Sequence, residues 1–403
     1  MYITSRVYVA AAILEVTTMA NTFSGYARPD GTVGIRNHVA ILSAMDNVNS
    51  VVKKIAAQVK GTIPITTWYG RGQFGADEEI TTRTLIGLGS NPNIAAVLVV
   101  SLEKVSAKRL ADGIGATKKP VAYLAVQDSG GSIEAVAKGA KIALSMVLQA
   151  SEQKREEFPL SKLILGVECG GSDTTSGIAS NPSLGYVADR VVEAGGTVFL
   201  SETSEFMGAE HVLAARARTA EVGCKIYAAV KRIEDDARAR GVDIRGANPV
   251  PDNIAGGITT IEEKSLGAIM KGGTATIQDI LEYAQKPWGT GLFLMDTPAP
   301  ASESMTGLAA AGTQIIIFST GKCNIMGNPL APTIKVSGNA DTLKVLSDNI
   351  DVDVADAASG AASIEECGMR VLSEMIKVCS GKMTKAEVLG DEENAINKIQ
   401  PTV

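Results

Sequence analysis

The sequence predicts an α/β protein built from two Rossmann-like domains with mainly parallel sheets, and three observations carry that reading. Short β-branched apolar runs alternate with longer segments of helical period, so strand, loop and helix follow one another repeatedly. The apolar runs end in Gly, Ser, Asp or Asn, as strands do when they turn into helices. Forty-one glycines against 4% aromatic residues suit many tight turns better than an aromatic-rich sandwich. With 403 residues, 45% of them hydrophobic, the chain is long enough for two domains with substantial cores.

Residues 1–22 read as an N-terminal extension. Arg6 precedes an apolar run, Val7–Leu14, that Glu15 interrupts, and no small-x-small cleavage pattern follows, so Met19 is the expected start. No stretch approaches the roughly 20 apolar residues that span a bilayer, and none of the readings calls for a membrane. Residues 23–150 form the first expected domain, with strands at Val39–Leu42, Val97–Val100 and Val121–Val126 and helices near 48–59, 77–88, 104–112 and 132–150. The charged, proline-ended segment Ser151–Pro159 predicts a linker over 151–160. The larger second domain, 161–403, has expected strands at Leu163–Val167, Thr197–Leu200, Leu292–Met295 and Ile315–Phe318. Its helices are expected near 183–194, 206–240, 276–284, 302–311, 340–348 and 363–380. Ala247–Gly257, rich in Pro and Gly, predicts a loop over a site.

Composition narrows the function. A net charge of −6 without a basic run excludes the electrostatic footprint of a nucleic-acid binder and favours a small-molecule substrate. The five cysteines are odd in number and lack CxxC spacing, which predicts a reducing, cytoplasmic setting.

In an open parallel sheet, ligands bind beyond the carboxyl ends of the strands. Four expected strand ends are polar: Glu168–Asp173, Ser201–Glu205, Asp296-Thr297-Pro298 and Ser319–Asn324. If these strands are neighbours, the four sets share one cleft. The stretch Glu202–His211 is the densest, with Glu202, Glu205, Glu210 and one of the two histidines. Successive helical side chains diverge by about 100°, so Glu210 and His211 are not expected to bind one ion together. His211 is left as a ligand, a substrate contact or a structural residue. Gly170–Gly177 offers N–H groups to an anion but matches neither a Walker A loop nor Gly-x-Gly-x-x-Gly. Cys169 reads as a nucleophile or as a buried structural thiol. Lys264, in Ile261–Gly267, suits a base, a fixed cation for a carboxylate, or a surface charge run. Gly25–His38 gathers Arg28, Arg36, Asn37 and His38 around an Asp-Gly turn, and Tyr69–Asp77 is a second polar glycine-rich loop. Arginine forks there suit carboxylate or sulfonate groups.

In order along the chain, Gly25–Asn37, Cys169–Asp173 with Asn181-Pro182, Ser201–Thr203 with Gly208–His211, Gly256–Thr260 with Glu263–Gly267, Met295–Pro298 and Thr320-Gly321 resemble the motifs of the altronate and galactarate dehydratases. The resemblance covers nearly the whole chain beyond residue 23. Full-length members begin with a small SAF-type domain, so the resemblance implies a large subunit, a small SAF-type subunit supplied by a separate chain, and an oligomeric assembly. Members also carry Gly-Cys-Gly where this chain has Tyr69–Asp77. That loop, with Arg83–Gly87, Asn91-Pro92-Asn93 and Asp351–Val354, looks like the sulfolactate sulfo-lyase branch of the family.

The resemblance implies a lyase that removes the C2 proton of a small anionic 2-hydroxy acid and eliminates sulfite or water from C3, leaving a 2-keto acid. It implies a divalent metal (Fe, Mn or Mg) as Lewis acid, with Glu202, Glu210, His211 and Glu168 as candidate ligands. Catalytic roles are expected for Glu202, Glu205, Lys264 and His211. Substrate contacts are expected from Arg36, Asn37, Arg71, Gln73, Gly171, Ser172, Asp173, Asp296, Thr297, Thr320 and Asn324. Two readings from other classes stand beside this one: a subunit that binds a sugar acid or sulfonate without turnover, and a nucleotide-binding α/β protein.

Overall fold

A computed structural model describes residues 21–400; the expected extension, its run Val7–Leu14 and the start at Met19 lie outside them. The chain forms a three-stranded antiparallel sheet and two parallel sheets of four and seven strands. Strands β1 (Thr22–Ala27) and β2 (Val33–Gly34) lead into β3 (His38–Ser43), β4 (Thr62–Ile65), β5 (Ile94–Ser101) and β6 (Val121–Ala125). Order β4-β3-β5-β6 makes the smaller parallel sheet. Helices α1 (Asn49–Gln58), α2 (Ala76–Ser90), α3 (Lys104–Gly115) and α4 (Ser132–Ser151) follow its strands. Val51, Val52 and Ile55 of α1 and Ala135, Ala143 and Met146 of α4 pack with Ile41, Leu98 and Val100. Leu85 and Leu88 of α2 and Leu110 and Ile114 of α3 join Leu42, Val97 and Val99 in a separate cluster. Both faces of β3 and β5 are thus covered, which is why these strands read as unbroken apolar runs.

The segment expected as a linker carries β7 (Glu156–Pro159), paired antiparallel with β1. Its exposure hid it, because only Phe158 turns inward, against the ring of Phe23. The large sheet then has order β10-β11-β9-β8-β12-β13-β14, every pairing parallel. Its strands are β8 (Ile164–Cys169), β9 (Thr197–Leu200), β10 (Ile277–Leu281), β11 (Gly291–Met295), β12 (Ile315–Ser319), β13 (Thr333–Ser337) and β14 (Val352–Asp353). Around it lie α5 (Asn181–Glu193), α6 (Glu210–Ala215), α7 (Ala220–Ala239), α8 (Ile261–Ile269), α9 (Ala301–Ala310) and α10 (Ile364–Cys379).

Three further expectations change. The helix near 276–284 is edge strand β10, whose register shifts between Ile277 and Ile280; the bulge breaks the alternation and leaves apolar spacing that mimics a helix. The helix over 206–240 is two, because Thr219 starts α7 by accepting the Val222 N–H while Ala217 bridges to Ile277. Ala247–Gly257 contains a short helical turn, Pro251–Ala255, with proline at its first position.

The two parallel sheets share a core. Met305, Ala309 and Ala310 of α9 and Phe318 of β12 belong to the same cluster as Leu85 and Leu88. Gly87 makes the contact of α2 with α9 possible, since a Cβ there would lie 2.3 Å from the Ala310 carbonyl oxygen.

Candidate functional site

Strands β11, β9, β8 and β12 are consecutive neighbours, so the condition on which the four polar strand ends come together is met. Backbone bonds tie them together. The Thr203 N–H donates to the Thr297 carbonyl (3.0 Å), the Glu202 N–H to Thr297 Oγ1 (2.8 Å), and the Gly170 N–H to the Ser319 carbonyl (3.1 Å). The chain leaves β8 on one side toward β9 and returns on the other as β12, so the β8 and β12 ends flank a topological switch point.

Glu202 sits in the left-handed region, φ 70°, which is costly for a residue with a Cβ. That turn folds its carboxylate back under the sheet edge. Its Oε2 accepts from Lys271 Nζ (2.8 Å) and from the Cys169 N–H (3.0 Å). Lys271 is fully buried, and its ammonium also reaches the Cys169 sulfur (3.1 Å). Burial and the Glu202 charge push the Cys169 thiol well above its ordinary value, so it stays protonated and serves as a buried acceptor. Burial opposes the Lys271 charge, but the negative groups around it outweigh burial and hold its pKa above the usual lysine value. Behind this pair, Glu168 accepts from Ser201 Oγ (2.7 Å) and Ser304 Oγ (3.0 Å), and its other oxygen is buried without a partner. Burial, then the neighbouring Glu202, raises the Glu168 pKa well above the carboxylate range.

The same left-handed turn launches the single helical turn Thr203–Phe206, in which the Glu205 N–H donates to the Glu202 carbonyl (2.8 Å). Glu205 Oε1 lies 3.2 Å from Lys264 Nζ, on α8, and Oε2 is buried without a hydrogen-bond partner. Burial raises the Glu205 pKa, with Lys264 opposing and Glu202 reinforcing the shift. Lys264 also donates to Asn248 Oδ1 (2.8 Å) and lines a cleft of about 410 Å³ with Ser172, Asp173, Thr174, Asn181 and Met270. A buried carboxylate of raised pKa beside an ammonium at a cleft is a general-base arrangement.

Of the remaining loop residues, Ser172 and Asp173 line this cleft, Asp296 and Thr297 line a separate one with Ser204 and Arg232, and the others brace the loops. Asp173 accepts from Thr175 Oγ1 (2.6 Å), the Ser176 N–H (3.1 Å) and Asn339 Nδ2 (2.6 Å), so its carboxylate shapes the loop. The Ser172 carbonyl accepts from Asn253 Nδ2 (2.8 Å), which seats the turn Pro251–Ala255 on it. Gly171, φ 62°, lets its carbonyl accept from the N–H groups of Gly321 (3.2 Å) and Lys322 (2.8 Å). Thr320 Oγ1 donates to the Gly170 carbonyl (2.7 Å), and Asn324 Oδ1 accepts from the Met326 N–H (3.0 Å). Asp296 holds Thr203 Oγ1 (2.8 Å) and Arg232 (2.6 Å), while Thr297 Oγ1 also meets Ser304 Oγ (3.0 Å).

Several expected site residues are placed elsewhere. Arg36 is buried and spends its guanidinium on Glu387 (2.7 and 2.9 Å) and on the Ile35, Val378 and Lys382 carbonyls, leaving no fork for a substrate. Asn37 joins Arg28 (2.8 Å) to the Ala150 carbonyl (2.8 Å), also a structural use. His211 is exposed on α6, outside the cleft. Glu210 is held by Arg245 (3.1 Å) and the Gly208 N–H (2.5 Å). Glu202 faces Lys271 rather than the cleft. Arg71 and Gln73 line a different cavity, in the first domain. The four candidate metal ligands therefore do not fit a divalent cation as a set, and among the described residues no group of three or more His, Cys, Asp and Glu is placed to hold one. Sequence reasoning missed Lys271; a lone lysine between Met270 and Gly272-Gly273 was the available signal.

Two family models match the chain in succession. Residues 25–151 match the second domain of D-galactarate dehydratase/altronate hydrolase, and residues 160–402 match the C-terminal domain of D-galactarate/altronate dehydratase. The chain belongs to the D-galactarate/altronate dehydratase family. Among its relatives in that family, (2R)-sulfolactate sulfo-lyase subunit beta of Chromohalobacter salexigens is 39% identical over 94% of this chain and 97% of its own length. The altronate dehydratase of Bacillus subtilis is 32% identical over 94% of this chain and 78% of its own length. The galactarate dehydratase (L-threo-forming) of Escherichia coli is 31% identical over 90% and 73%. All are named lyases or dehydratases. Among the described residues, no helix is long and apolar enough to cross a membrane.

Proposed function

We propose that the chain is the large subunit of a lyase that takes the C2 proton from a 2-hydroxy acid and expels a C3 substituent, with sulfolactate as substrate and sulfite as leaving group. The observation that carries the reading is the Glu205–Lys264 pair: a buried carboxylate oxygen without a partner beside an ammonium that opens on the cleft. Lys264 binds the substrate carboxylate and stabilises the enediolate that forms when C2 loses its proton. Glu205 accepts that proton. The C2 electron pair then forms the C2–C3 double bond as the C3–S bond breaks with both electrons on sulfite, and the enol tautomerises to the 2-keto acid. Glu202 and Lys271 balance charge behind the base and fix the turn that presents it.

The 39% identity to a sulfo-lyase subunit along 97% of that protein supports sulfite as leaving group and a second, small subunit as partner. The dehydratase relatives support the alternative in which hydroxide leaves C3. The test supplies the chain, with and without a co-expressed small subunit, with sulfolactate, altronate and galactarate, and follows sulfite and 2-keto acid. Equal amounts of both from sulfolactate are expected. Keto acid from a sugar acid alone would replace this reading with the dehydratase, and turnover of none of them would overturn the enzymatic one.

A further inference from the structure

A second polar cavity lies in the first domain, beyond the carboxyl ends of β3 and β5, between which the order of the small sheet switches direction. It encloses about 140 Å³ and is lined by Gly70, Arg71, Gln73, Thr81, Ser106 and Arg109, among others, with no residue in common with the Lys264 cleft. Two of its side chains are unsatisfied. Gln73 Nε2 and Thr81 Oγ1 are buried and have no hydrogen-bond partner, although the residues are only 9% and 2% exposed. A buried amide N–H₂ without an acceptor costs roughly 1–3 kcal/mol, and with an unpartnered hydroxyl lining the same cavity it points to something that accepts from them.

The charges nearby define its chemistry. Arg71 holds Asp46 through Nε (2.7 Å) and Nη2 (3.3 Å), and Arg109 holds Glu78 through Nη1 (3.0 Å) and Thr82 through Nη2 (2.7 Å). Each pairing uses only part of the guanidinium's N–H groups, and the one carboxylate in the cavity wall, Glu78, has its charge offset by Arg109. What remains is an excess of donors: the Gln73 amide, the Thr81 hydroxyl and the unused guanidinium N–H groups. We propose that this cavity binds a small oxyanion, a sulfite, sulfonate or carboxylate group, at a site separate from the Lys264 cleft. Several waters or one such group fit the volume, and a single anion accepts from the Gln73, Thr81 and arginine donors at once.

The test is calorimetric titration of the full chain with sulfite, methanesulfonate and acetate. Saturable binding of at least one is expected, the preferred arm identifying the headgroup. Gln73→Leu and Thr81→Val, each with an unchanged melting curve, are expected to weaken it tenfold or more, and Lys264→Met to leave it unaltered. Absence of saturable binding up to concentrations on the order of 10 mM would overturn the proposal. So would binding that survives both cavity variants, or binding abolished by Lys264→Met, which would assign the anion to the catalytic cleft.

Discussion

Lys271 shows how a single residue without a motif governs the site. Its ammonium is enclosed with the Glu202 carboxylate, and taking away one member of a buried pair strands the other. Lys271→Met is expected to destabilise the fold by about 3–5 kcal/mol, read as a lower denaturant midpoint. Adding Glu202→Gln to it removes the stranded charge and is expected to restore much of that loss, a coupling that a double-mutant cycle measures. Glu168 supplies a pH signature. Its folded-state pKa is raised, so its contribution to stability is complete below the ordinary value of 4.5 and is lost as pH rises toward the folded value. Melting temperature measured against pH is therefore expected to fall less on the alkaline side in Glu168→Gln than in the wild type. At this scale the sequence was half legible: Glu205 and Lys264 could be named because they stand beside a strand end and a helix start. Lys271 and the structural use of Arg36 depend on partners more than 60 residues away, Glu202 and Glu387, that no local pattern shows.

At the scale of elements, the central apolar strands β3, β5, β8, β9, β11 and β12 were readable, as was the edge strand β6, whereas β10 and β13 were not. β13 was missed because Lys335 interrupts Thr333–Ser337, yet the fold buries that lysine against the Phe318 ring (3.8 Å) and the Met326 carbonyl. Burial lowers the Lys335 pKa to about 7, so the core tolerates it partly by discharging it. The turn carrying Lys271 is held against α5 by a glycine: a Cβ on Gly185 would stand 2.2 Å from the Met270 carbonyl oxygen. Gly185→Ala is expected to cost about 1–3 kcal/mol and to lower kcat more than it changes KM, because the turn must move with Lys271 on it; thermal melting and steady-state kinetics read the two effects. Arg36 joins the first domain to the segment after α10 through Glu387. Arg36→Ala is expected to cost about 3 kcal/mol while leaving KM unchanged, whereas a rise in KM without loss of stability would return Arg36 to the substrate.

Across the whole molecule, the parallel α/β class followed from the alternating pattern and is present; the four strand ends are neighbours, the condition set for their meeting, but residues from them line two cavities rather than one. The shared core between the sheets was not legible, because it rests on contacts such as Gly87 with Ala310 whose partners are distant in sequence. Nor was the separation of the Arg71–Gln73 loop from the Lys264 cleft, since glycine-rich loops at two sheet edges look alike in one dimension. The central claim is that Glu205 beside Lys264 takes the C2 proton. The measurement is kcat for sulfite release from sulfolactate by Glu205→Gln with the small subunit present. The account predicts a fall of roughly 10²- to 10⁴-fold with the melting temperature preserved; a folded Glu205→Gln protein that releases sulfite at the wild-type rate would contradict it.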